Sequence, residues 1–281
     1  MPLAADRPFA QVDVFTDRPF LGNPVAVVLD GRGLDDDQMA AFARWTNLSE
    51  TTFVLPAADP AADYRLRIFT PGGELPFAGH PTLGSCHAWL TGGGVPRQDD
   101  VVVQECGAGL VRIRRTGKRL SFAAPPLLRT GPLDAETLER ATASLGVRPE
   151  QVRGHQWLDN GPGWAGLLLD SAQTVLDVRA DAAAMGGTPF GVMGPHPAGS
   201  EVDFEVRAFI PDMGVTEDPV TGSLNAGLGQ WLIGAGLAAP SYVARQGTAL
   251  RRDGRVHVQH DGRDVWVGGD CESRVQGMVR I

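Results

Sequence analysis

The chain has 281 residues, with 33 acidic side chains against 25 basic ones, a formal net charge of −8 and 43% hydrophobic residues. That length suits two domains of ordinary size, and an acidic balance without clustered Lys and Arg argues against a nucleic-acid partner. Cys86, Cys106 and Cys271 have neither CxxC spacing nor the density of a disulfide framework, no window is apolar enough for a membrane span, and residues 1–10 lack a signal-peptide run, so a reduced cytoplasmic chain with no structural zinc is predicted.

Along the chain, Gln11 to Phe15 and Val25 to Leu29 flank the turn-forming stretch Arg18 to Pro24 and predict two strands joined by a turn. Leu34 to Trp45 carries Asp35, Asp36 and Asp37 at its start and Met39 and Phe42 on one face, as an amphipathic helix does. Thr52 to Leu55 resumes as strand. In Tyr64 to Pro71, Leu66 and Ile68 share one face and Arg65 and Arg67 the other, the alternation of a half-buried strand. The run Gly79 to Leu90, rich in Gly, Ala and Leu, predicts a helix buried on most sides. Two prolines, Pro125 and Pro126, place a linker within Ala123 to Leu127. Beyond it, Asp134 to Leu145 and Ala172 to Met185 predict helices, and Trp164 to Leu169 a strand.

The two halves resemble each other. Tyr64 to Pro71 matches Phe204 to Pro211, with Arg67 and Arg207, Phe69 and Phe209, and Pro71 and Pro211 each 140 residues apart; the second segment is predicted to alternate like the first. Downstream, Gly79 to Leu90 parallels Thr221 to Leu232 after a two-residue insertion, and both runs close on Trp-Leu. The repeat predicts a duplicated unit of strand, sharp loop and central helix.

Pseudo-twofold packing of such halves would bring both helix starts to a shared cleft, where unpaired N–H groups and positive dipole ends suit a carboxylate. Gly79, Gly222 and Ser223 would allow its close approach; the competing use of these positions is ordinary capping by Thr82 and Ser223. His80 is either a turn histidine held by the backbone or a neutral imidazole that exchanges a proton near neutral pH, with Asp218 in the matching loop. Glu50 is either a surface residue at a strand entrance or, in a dry cleft, an acid/base group of raised pKa. Gly79 and Thr221 stand where paired racemase thiols would be expected, and Cys86, nearly two turns into its helix, reads as core.

Asp13-Val14-Phe15-Thr16, Gly22 to Val27, Asn47 to Phe53, Glu74 to Thr82 and Glu217 to Ser223, in that order, resemble the phenazine-biosynthesis PhzF-like family, within the diaminopimelate-epimerase-like fold. The resemblance implies an α+β chain of two pseudo-symmetric domains, each a curved, mostly antiparallel sheet wrapped around a central helix: residues 1–124, with 272–281 as the candidate strand that completes them, and residues 125–271. It also implies a homodimer and isomerisation of a small carboxylate-bearing substrate between the domains, with no metal, nucleotide or organic cofactor. Glu50 matches the family's acid/base residue, and His80, Asp218 and Ser223 match its supporting residues; amides around Gly79, Gly222 and Ser223 would hold the substrate carboxylate. Two segments depart from the pattern: Arg252-Asp253 replaces the usual Arg-Pro, and Leu224-Asn225 replaces smaller residues. A two-base amino- or hydroxy-acid racemase and a catalytically silent ligand-binding module are the alternative readings.

Overall fold

Strand β1 (Asp6–Val14) and strand β2 (Asn23–Val28) form the first antiparallel hairpin, followed by helix α1 (Asp36–Thr46) and strand β3 (Glu50–Leu55), which pairs parallel to β2. Strand β4 (Tyr64–Thr70) runs antiparallel to β3 and to the short β5 (Gly73–Leu75). Helix α2 (Gly79–Thr91) then leads to β6 (Val101–Cys106), parallel to β4, and to the antiparallel β7 (Gly109–Thr116) and β8 (Arg119–Ala123).

After helix α3 (Ala135–Leu145) the same order returns. It comprises β9 (Val152–Trp157), β10 (Ala165–Leu169), α4 (Ala172–Asp177), β11 (Phe190–Pro195), β12 (Phe204–Phe209), β13 (Glu217–Asp218), α5 (Gly222–Gly234), β14 (Ser241–Gln246) and β15 (Gly254–His260). The pairings repeat as well: β9–β10 antiparallel, β10–β11 parallel, β11–β12 and β12–β13 antiparallel, β12–β14 parallel, β14–β15 antiparallel. The duplication seen as a few matched residues is therefore a duplication of topology. Strand β16 (Val265–Gly269) and strand β17 (Cys271–Arg280) follow, and β17 lies antiparallel along β1.

This computed structural model describes residues 5–211 and 216–281. It divides into two units, Met1–Ala123 with Gly268–Ile281, and Ala124–Val267. In the first, α2 is wrapped by β1, β2, β3, β4, β6, β8 and β17. Gly79 to Cys86 are buried without interruption, a run longer than two helical turns, so the first two turns of this helix have no solvent face. Gly84 makes that enclosure possible, since a Cβ there would meet Val25 Cγ1 at 2.4 Å. In the second unit the run Leu224 to Gly229 of α5 is buried in the same way. Two apolar clusters complete the cores, one around Met39, Phe53 and Phe69, the other around Trp157, Leu167, Val192 and Phe209.

Helix α1 begins two residues later than the pattern predicts, because Asp35 is its N-cap: its side chain accepts from Gln38 N, and the Gln38 side chain returns to the Asp35 backbone. The helix predicted over Ala172 to Met185 is a larger departure. It stops at Asp177, and a separate 3₁₀ turn follows at Ala182–Met185. The break comes where the Arg207 guanidinium takes the end of α4: Nη1 donates to the carbonyls of Val178 at 2.8 Å, Val175 at 3.2 Å and Leu176 at 3.4 Å. Carbonyls in the last turn of a helix run short of backbone donors, and a buried cation supplies them where further helix would otherwise be needed.

The same side chain corrects the reading of β12 as half-buried. Its whole length is buried, because the charged face is neutralised in place. Glu205 pairs with His196 Nε2 at 3.0 Å, and Arg207 forms a fork with Glu217, at 2.9 Å from Nε and 2.8 Å from Nη2. In β4, whose equivalent Arg67 keeps exposed partners in Asp36 and Glu74, the predicted alternation holds.

Candidate active site

Glu50 is the first residue of β3, where that strand pairs with Val25 of β2. His80 is the second residue of α2. The fold brings the two together: His80 Nε2 lies 3.1 Å from Glu50 Oε2, with the histidine side chain 4% exposed and the glutamate 12%. The opposite edge of the imidazole is held by Asn23, whose side-chain amide lies 3.3 Å from Nδ1. Asn23 is fully buried at the start of β2, and the preceding residue lets the chain reach it. Gly22 donates its N–H to Asp13 Oδ1 at 3.1 Å, and a Cβ on it would meet the Val14 carbonyl at 2.1 Å.

Burial pushes the His80 imidazole down to about 3, only partly offset by a hydrogen bond with the Pro24 backbone, so the ring is neutral. A neutral ring can present either a proton or a lone pair at Nε2, so the Glu50 carboxyl group faces an uncharged imidazole at close range.

The depressed value has a thermodynamic consequence with a definite sign. Unfolded His80 takes a proton near pH 6.5 and folded His80 does not, so its contribution to stability is complete above 6.5 and is lost as pH falls toward 3. Between pH 7.5 and 5.0 the wild type is expected to lose about 2 kcal/mol more than His80→Gln, which cannot titrate. Urea midpoints of both proteins at the two pH values measure it, and parallel losses would show a histidine that charges normally.

In the other unit, Asp218 closes β13, 8% exposed, and its Oδ2 accepts from Thr221 Oγ1 at 2.5 Å. Ser223 is the second residue of α5 and is held twice, by Trp164 Nε1 donating to its Oγ at 3.0 Å and by Asn160 Nδ2 donating to its carbonyl at 2.9 Å. An indole N–H can only donate, so Ser223 Oγ is an acceptor in that bond and its own proton points elsewhere. Each unit thus ties the second residue of its central helix to an asparagine from its first hairpin, Asn23 to His80 and Asn160 to Ser223.

Capping by Thr82 and Ser223 is not how these helices begin. The N-caps are Ala78 and Thr221, and neither makes a side-chain capping bond. Thr82 lies inside α2 and accepts from Gln104 Nε2 at 3.0 Å, while Ser223 is engaged by Trp164. The first-turn amides around Gly79, Gly222 and Ser223 are therefore not served by a capping side chain, the property an anion site uses.

Cys86 is fully buried in α2, its thiol pushed up to about 12 by burial, and burial raises Cys106 and Cys271 too, so none of the three is a ready thiolate. Among the described residues no group of three or more His, Cys, Asp or Glu is placed to hold a metal ion, and no helix is long and apolar enough to cross a membrane.

Sequence reasoning had named Glu50, His80, Asp218, Gly79, Gly222 and Ser223. It passed over the tethers Asn23, Asn160 and Trp164. A signal for the asparagines exists, since Gly22-Asn23-Pro24 and Asn160-Gly161-Pro162 interrupt the first hairpin of each repeat.

Residues 12–277 match the family model described as phenazine biosynthesis-like protein. A protein of Schizosaccharomyces pombe named antisense-enhancing sequence 1 is 36% identical over 97% of this chain and 98% of its own length. The trans-2,3-dihydro-3-hydroxyanthranilate isomerase of Pseudomonas aeruginosa is 34% identical over 76% of each chain. A crystal structure of a PhzF-family phenazine biosynthesis protein from Enterococcus faecalis superposes with a TM-score of 0.82 at 24% identity, covering 99% of this chain and all of the other, and so shares its fold.

Proposed function

Because the chain belongs to the phenazine biosynthesis-like family, we propose that it is a cofactor-independent isomerase that moves a proton between two carbons of a small, carboxylate-bearing substrate. The observation that carries this reading is the Glu50–His80 pair, a carboxyl group and a neutral imidazole 3.1 Å apart in a nearly dry setting. Glu50 as carboxylate takes a proton from one carbon; the C–H electron pair delocalises into the substrate's unsaturated system; the carboxyl then returns the proton to a second carbon, leaving composition unchanged. His80 stays uncharged and orients Glu50, its Nε2–H turned toward the carboxylate. Asp218 is assigned a share in proton transfer, as the family resemblance implies. In the second unit, the first-turn amides of α5 and the Ser223 hydroxyl, its proton directed away from Trp164, are groups able to hold a carboxylate.

A thiol-pair racemase is not supported by three buried, protonated cysteines. The isomerase reading is tested with trans-2,3-dihydro-3-hydroxyanthranilate, named for the Pseudomonas relative, and a panel of small unsaturated carboxylic acids. NMR should show an isomer of unchanged mass in H₂O, carrying at most one carbon-bound deuterium in D₂O. If no member of the panel is isomerised or exchanged, the reading fails.

A further inference from the structure

Gln246, the last residue of β14, is fully buried, and every hydrogen-bonding position of its amide is used. Nε2 donates to Thr221 Oγ1 at 2.9 Å and to the Asp218 carbonyl at 3.2 Å; Oε1 accepts from Thr221 N at 3.1 Å and from Asn225 Nδ2 at 2.9 Å. Asn225 Nδ2 also donates to the Thr221 carbonyl at 2.9 Å. The amide cannot turn over without losing four bonds, so its donor end is fixed against the threonine hydroxyl. That hydroxyl, already accepting from Gln246, has one proton left to give, and Asp218 Oδ2 is 2.5 Å away. A saturated neutral network thus makes Thr221 an obligatory donor to one carboxylate oxygen.

We propose that Gln246, Asn225 and Thr221 are positioning residues that hold Asp218 as an anion with a fixed orientation. This rests on the reading of Asp218 as part of the reacting site. A hydrogen bond that favours the charged form of a carboxyl lowers its pKa, and the network ensures that Thr221 makes that bond in every molecule. The first unit contains the same glutamine without the same consequence. Gln104 stands 142 residues before Gln246, on the strand equivalent to β14, and is equally buried. It donates to Thr82 and accepts from Tyr64 Oη at 3.0 Å. A buried glutamine that donates to a threonine near the start of the central helix, inside α2 in one unit and at the N-cap of α5 in the other, thus recurs in both units, and the link onward to Asp218 is the second unit's addition. The network also accounts for a departure from the family pattern, since Asn225 supplies an amide that a smaller residue could not.

The test is the titration of Asp218 in the full chain carrying ¹³Cγ-aspartate, with its signal assigned through Asp218→Asn. Thr221→Val keeps shape and removes the donated proton; it should raise the Asp218 pKa by about one unit, and Gln246→Met should move it the same way. Thr221→Ser restores the hydroxyl and should return the wild-type titration, which a loss of packing would not do. An unchanged titration in Thr221→Val overturns the proposal, as does failure of Thr221→Ser to restore it, and neither depends on Gln246→Met folding. With an isomerised substrate, Thr221→Val should also shift the acid limb of the pH–rate profile upward by the same amount. If Asp218→Asn leaves turnover untouched, the catalytic reading of Asp218 falls while the titrations still decide the network.

Discussion

Glu50→Gln is expected to slow isomerisation by roughly 10²- to 10⁴-fold, the usual contribution of a positioned acid/base group. The substitution keeps the shape of the side chain and one acceptor oxygen. The amide that replaces the other oxygen can still face His80, because a neutral ring can present its lone pair at Nε2. The fold should therefore survive, with an unchanged circular dichroism spectrum and a melting temperature within a few degrees of wild type. Binding of the substrate carboxylate should persist, since the groups assigned to it are first-turn amides and Ser223. Turnover close to the wild-type rate would remove Glu50 from the role of proton carrier. Turnover lost together with the folded spectrum would indicate a structural effect, and His80→Asn would then be the cleaner probe of the pair.

The second large effect falls on stability and separates two copies of one motif. Arg207 and Arg67 occupy matching places, each forked to a glutamate and each lying over a phenylalanine ring, at 4.8 Å and 5.0 Å from its centroid. They differ in burial: Arg207 and Glu217 are 7% and 9% exposed in their side chains, whereas Asp36 and Glu74, the partners of Arg67, are 83% and 42% exposed. Removing one member of a buried pair leaves an uncompensated charge, so Arg207→Met should cost about 3–5 kcal/mol. Arg67→Met should cost about 0–1 kcal/mol, because water replaces what is lost. Arg207→Met combined with Glu217→Leu should cost less than either change alone, since no lone charge is then buried. Denaturant unfolding of the four variants measures the ranking. Equal costs at the two arginines would show that burial does not govern the motif.

Identities that recur in local patterns were legible from sequence. The Arg-x-Phe-x-Pro match located β4 and β12 because polarity alternation is a local property of a strand, and Gly-Ala-Leu richness located α2 and α5. Glu50, His80, Asp218 and Ser223 were singled out with a bland alternative beside each and took their roles from resemblance, because a single Glu or His carries no local signal of what faces it. The misread features share one cause. The extent of α4, the burial of β12 and the roles of Asn23, Asn160, Trp164 and Gln246 all depend on partners tens of residues away. Arg207 shows this most clearly: in sequence it marks a solvent-facing strand edge, and in the fold it ends a helix and buries its own strand.

The chain's first and last described strands are hydrogen-bonded neighbours, with Asp6 paired to Arg280 and Ala5 exchanging backbone bonds with Ile281. During synthesis, β1 emerges with no companion on that side and waits 274 residues for one, roughly tens of seconds at ordinary ribosomal speed. The unit formed by Ala124–Val267 has no such delay, because its segments arrive consecutively. The unit that is translated in one stretch can thus finish folding first, and the unit that carries Glu50 and His80 is sealed only once β17 has been made.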